Sequence, residues 1–135
     1  MTSLHTVEFE LVEPRYLRIR FLAEMDGPEM LALMEAMEES IGKEPFFLLE
    51  ADVREVKGVS PDARRIAAER FLKLPDRAIA MVGGGFAQRL FAKLVLTAVS
   101  MLSRNPRNAS EFFQDPEAAR AWLREYATKY EASLR

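Results

Sequence analysis

From Thr6 to Val12 the chain alternates Val7, Phe9 and Leu11 with Thr6, Glu8 and Glu10, the period-two pattern of a half-buried strand. Glu13-Pro14 turns the chain, and Tyr16 to Leu22 alternates again, with Leu17, Ile19 and Phe21 opposite Tyr16, Arg18 and Arg20. So short a connection predicts an antiparallel hairpin. After Asp26-Gly27-Pro28, a cap followed by a proline suited to a first helical turn, the period changes. Met30, Leu33, Met34, Met37 and Ile41 recur at helical spacing, and Gly42 closes the element. Three methionines on one face would also suit an adaptable binding surface, but the spacing is that of any core-facing stripe.

Pro45 to Ala51 is a short apolar run, expected to be a strand covered on both faces. Ser60-Pro61-Asp62 then opens a second helix, with Ser60 as cap and Ala63, Ile66, Ala67, Phe71 and Leu74 facing inward. Pro75 ends it, and Arg77 to Val82 reads as the next buried strand. Beyond a polar loop, Ser110 to Phe113 suits a last short strand. Asp115-Pro116-Glu117 starts a final helix whose stripe is Ala119, Trp122, Leu123, Tyr126 and Tyr130.

Between these lies Ala78 to Arg104: an apolar strand, Gly83-Gly84-Gly85, and a long helix apolar over most of its circumference. Stepping about 100° per residue from Phe86 puts Arg89, Lys93, Thr97, Ser100 and Arg104 in one narrow stripe. Apolar side chains fill the remaining ~240°, against the ~100° that a single core contact needs. Such a helix requires a second apolar surface: more core, a partner subunit, a lipid-like ligand or a membrane face.

The predicted order is β-β-α-β-α-β-α-β-α, an α/β chain with a mainly parallel sheet, right-handed crossovers and an antiparallel first strand. At 135 residues, without repeats, low-complexity tracts or long linkers, residues 1–135 are expected to form one domain. A formal net charge of -2 offers no general attraction to nucleic acid. With no cysteine, the chain has neither disulfides nor thiolate metal sites. The opening MTSLHTVEFEL lacks the basic and apolar regions of a signal peptide, and Leu94 to Ser103 falls short of the ~20 residues a membrane span needs. A cytoplasmic protein is expected.

Candidate chemistry is sparse. The three glycines sit where backbone amides can cradle a phosphate, yet neither GxGxxG nor GK[ST] is present, and a tight turn with positive φ and close helix-to-strand approach explains them. His5 is the sole histidine and falls in a terminus expected to fray. Glu50 and Asp52 follow a buried strand on one side, a frequent place for sites in α/β proteins, although Asp52 also suits a turn cap. Ser60 reads as a helix cap; a phosphate there would meet a helix N-terminus and Arg64. Arg64, Arg65, Arg70, Lys73 and Arg77 make a basic region, by default a solvated helix face and otherwise a patch for anionic headgroups. No nucleophile-base pair or metal cluster can be assembled, so an enzyme, a cofactor and a metal are not expected.

Three stretches resemble the SpoIIAA-like group, related in fold to STAS and CRAL-TRIO domains: VSPDARR at Val59 to Arg65, AIAMVGGG at Ala78 to Gly85, and the FxDPEAARAWL pattern from Phe113 to Leu123. The resemblance spans essentially the whole chain. It implies a sheet of about five strands, a right-handed βα superhelix and helices mainly on one face. The lipid-binding branch implies an apolar cavity under a movable helix, here the helix after Gly85. The anti-sigma-factor-antagonist branch implies a regulator switched by serine phosphorylation; its D-S-[ST]-G motif is replaced here by Gly58-Val59-Ser60-Pro61, leaving Ser60 as the one candidate phosphoacceptor.

Together these give a non-enzymatic binding protein for a lipid-like or other apolar ligand, with peripheral membrane contact as an added expectation. Phe86, Leu90, Leu94, Val95 and Leu102 are the expected lining, and Arg89 and Lys93 the residues nearest a headgroup. Two alternatives stand beside it: a regulator that binds a protein partner through the second helix and Ser60, and a homodimer built on the long apolar helix.

Overall fold

Where two residues exchange β for helical period in this chain, a capping side chain stands between them. In a computed structural model describing residues 2–4, 6–56, 58–83, 85, 93 and 107–134, Asp26 accepts from the Glu29 amide at 2.9 Å and Ser60 Oγ from the Ala63 amide at 3.1 Å. Asp115 accepts from the Glu117 amide at 3.1 Å. These caps open helices α1 (Gly27–Ile41), α2 (Pro61–Phe71) and α3 (Pro116–Ser133), each with proline in its first turn. Gly42 ends α1 at φ +58, a conformation glycine adopts without strain.

The strands are β1 (Thr2–Leu4), β2 (Val7–Glu13), β3 (Tyr16–Phe21), β4 (Phe46–Asp52), β5 (Asp76–Val82) and β6 (Ala109–Phe113). They form one sheet in the order β1-β2-β3-β4-β5-β6; β1 to β3 are antiparallel, and β3 to β6 run parallel. The expected hairpin and parallel crossover series are therefore present. Strand β1 is an addition at the terminus that had been expected to fray. The expected helix after Gly85 lies outside the described residues.

Strand β4 is buried at all seven positions, so both sheet faces are covered there. Phe47, Leu49, Ala51 and Val53 join Ile19, Ile79, Met81 and the inner stripes of α1 and α2 in one apolar cluster. The alternate residues Phe46 and Leu48 join Tyr16, Ala78, Ala80, Val82 and the α3 stripe in a second. Among the described helices, α1 and α2 thus share one face and α3 covers the other. Tyr16, expected on the outer side of β3 with Arg18 and Arg20, is fully buried in this second cluster. Conversely Leu11, at the far end of β2, is 46% exposed despite its in-phase position. Helix α2 stops at Phe71 because the Lys73 and Leu74 amides turn back to Arg70 and Phe71, and Leu74, just past its end, still packs against the same apolar cluster as the inner face of α2.

Candidate functional site

The methionines of α1 are where the helical spacing put them: Met30, Met34 and Met37 are buried against the sheet, joined from β5 by Met81. Between α1, α2 and the strands they leave a cavity of about 80 Å³. Its lining is apolar throughout, with Phe21 and Phe71 as partly buried residues among it. Ala51 from β4 and Ala67 from α2 contribute the small side chains that leave the space open. A cavity without polar lining stays dry, and thioether side chains with three rotatable bonds can repack around an occupant. A wider cleft of about 410 Å³ at the β2–β3 turn differs in character. Arg15, in a left-handed conformation at φ 74, spans it to Glu44 at 2.5 Å and lies 4.8 Å from the Phe46 ring centre. Its charges are already mutually paired.

On the α3 face, charges alternate across neighbouring strands. Glu10, Arg18 and Glu50 stand in one row and Glu8, Arg20 and Asp52 in the next. Glu50, 3% exposed, accepts from the Tyr16 hydroxyl at 2.7 Å, Arg18 Nε at 3.1 Å and Arg120 Nε at 3.0 Å. Burial works to raise its pKa, but the bonds from Arg120 and Tyr16 and the charge of Arg18 prevail, holding it below the ordinary carboxylate value. Burial and then Glu50 push the Tyr16 hydroxyl up to about 12. Such a carboxylate is neither a poised base nor a protonated acid at neutral pH; it ties α3 to β3 and β4. Asp52 caps the next turn through the Arg54 amide at 3.0 Å and binds the Arg54 side chain at 2.7 Å. Strands β3 to β6 succeed one another in a single direction, so the reversal of order that opens a crevice in doubly wound sheets does not occur beside these carboxylates.

Gly83 is buried and is not in the left-handed region, so positive φ does not explain it. A Cβ there would come within 3.1 Å of the Phe112 ring and 3.2 Å of Val53, so space is the constraint. Ser60 Oγ is engaged as the α2 cap. Of the residues expected to touch ligand, Lys93 is helical and exposed. Phe86, Arg89, Leu90, Leu94, Val95 and Leu102 lie outside the described residues.

Arg77 corrects the basic-region reading. It is 3% exposed, not part of a solvated face. Its Nη1 donates to the Phe71 carbonyl at 2.7 Å and to the Pro75 carbonyl at 3.4 Å, and its guanidinium lies 5.2 Å from the Phe71 ring centre. The signal was present in the sequence: Arg77 is in phase with Ile79 and Met81, both on the inner face of β5. Among the described residues no group of three or more His, Cys, Asp or Glu is placed to hold a metal, and no helix is long and apolar enough to cross a membrane.

The architecture has a counterpart among solved structures. The chain resembles the crystal structure of an uncharacterized protein of the DUF3478 family with a SpoIIAA-like fold, from Shewanella loihica PV-4. The TM-score is 0.68 at 19% identity, covering 91% of this chain and 98% of that one. No protein-family model matches the sequence, and no curated protein matches it. The chain has a SpoIIAA-like fold.

Proposed function

We propose that this chain is a non-enzymatic binding protein whose ligand is lipid-like or otherwise apolar. The observation that supports the reading best is the cavity between α1, α2 and the sheet, apolar throughout and walled by Met30, Met34, Met37 and Met81. At about 80 Å³ it is roughly half the volume of a dry cavity of about 150 Å³ that accepts benzene, so an occupant of lipid size requires the methionines and the half-buried Phe71 to move. Methionine is suited to that task, because repacking costs it less than a branched side chain. The residues placed on the helix after Gly85 belong to the same reading as further lining, with Arg89 and Lys93 toward a headgroup.

Methyl NMR of the methionines tests it. Adding 1-octanol should shift the Met30, Met34, Met37 and Met81 methyl signals in the native chain. Ala67→Leu, which places a larger side chain in the space, should suppress those shifts while leaving the chain folded. Absence of shifts, or shifts that survive Ala67→Leu, contradicts the reading.

A further inference from the structure

Arg77 is a buried cation without a carboxylate in ion-pair contact among the described residues. A guanidinium does not shed its proton at neutral pH, so burial leaves a full positive charge inside the protein. The groups in direct contact with it are neutral: the Phe71 carbonyl at the C-terminal end of α2, the Pro75 carbonyl in the turn that follows, and the face of Phe71. These satisfy hydrogen bonds and lower the cost of the charge, but they do not cancel it. The neighbouring Asp76 favours the charge through space but makes no ion pair with it; its carboxylate is on the opposite face of β5, where it accepts from Tyr130 at 2.5 Å and lies 3.7 Å from Arg107. Phe71 has a double position. The ring that stacks beside the Arg77 guanidinium also lines the apolar cavity. A single side chain therefore stands between an apolar space and a buried cation that has no ion-pair partner among the described residues.

We infer that the ligand of this cavity is an amphiphile with one anionic head, in the simplest case a monocarboxylate, whose tail occupies the methionine-lined space and whose head pairs with Arg77 once the Phe71 ring turns aside. This rests on the proposed binding of an apolar ligand and adds its polar end. A planar fork of donors fits a carboxylate in a bidentate pair, and desolvation strengthens that pair relative to one in water. The pairing also offsets part of the cost of keeping the Arg77 charge buried.

The test is the affinity of the intact chain for octanoate and for 1-octanol, measured by calorimetry at neutral pH, with Arg77→Met and Arg77→Lys beside the native chain. The native chain should bind octanoate at least about tenfold more tightly than the alcohol. Arg77→Met should abolish that preference while alcohol binding persists, and Arg77→Lys should keep part of it. Equal affinity of the native chain for the two probes overturns the inference and leaves the apolar cavity standing, as does a preference that survives Arg77→Met. Failure of both probes to bind the native chain overturns the inference and the cavity reading together. Should Arg77→Met not fold, the native ratio and Arg77→Lys still decide.

Discussion

The Tyr16 hydroxyl donates to Glu50 Oε1 at 2.7 Å, joining residues 34 positions apart on adjacent parallel strands. With Arg18 and Arg120 on the same carboxylate, this places a fully compensated charge on one side of the sheet. Arg77, a buried charge with no ion-pair partner among the described residues, lies on the other. The contrast separates a structural lock from a site that still has electrostatic work left to offer.

The lock gives a pH dependence. Glu50 has a native pKa below its ordinary value of 4.5, so the native state binds its proton less readily than the unfolded chain does. Its contribution is complete above about 4.5 and is lost as pH falls through the depressed native value. Glu50→Gln should cost about 2 kcal/mol at neutral pH, because one charge is removed while partly exposed Arg18 and Arg120 stay hydrated. Urea midpoints should therefore converge for the native chain and the variant as the pH is lowered below 4.5. A constant gap across that range contradicts the assignment.

Ser60 offers a cleaner case. Replacing its capping oxygen by Ser60→Ala should cost about 1 kcal/mol in urea denaturation, and Ser60→Asp should restore most of it, since aspartate caps as well as serine does. A loss on Ser60→Asp as large as that on Ser60→Ala would show that the hydroxyl does something other than cap α2.

Cavity filling should separate packing from binding. Ala67→Leu puts apolar volume into a space of about 80 Å³ and should leave thermal stability within about 1 kcal/mol of the native chain, with loss of the added ligand. Leu33→Ala enlarges the same region from α1 and should destabilise by about 2–5 kcal/mol. Thermal melts with and without 1-octanol check both. A ligand-induced rise in Tm that persists in Ala67→Leu contradicts the location of the site.

Much of this architecture is written in local pattern. Asp26, Ser60 and Asp115 announce three helices because a cap, a proline and an acidic first turn occur within four residues. Phe47, Leu49 and Ala51 announce a central strand because a parallel sheet covered on both faces must be apolar at every position. Strand β1 had no such signal, since three residues cannot establish a period and its pairing with β2 is tertiary. Tyr16 and Glu50 were illegible for a related reason: their burial follows from α3, which arrives a hundred residues after Tyr16 and covers a face that β3 alone presents as polar. Arg77 was legible in its phase with Ile79 and Met81, but the cluster of cations before it in sequence suggested a solvated face. The helical spacing places the methionine stripe in the core, where it lies; that it also walls a void depends on Ala51 and Ala67 both lining the same space from β4 and α2, which no spacing along the chain encodes.

Native mass spectrometry of the chain purified from cells, beside a denatured and solvent-extracted control, bears most directly on the central claim. The account predicts a small anionic, apolar mass that accompanies the folded chain and is lost on extraction. The bare chain mass in both samples, unchanged after incubation with octanoate and 1-octanol, would contradict it.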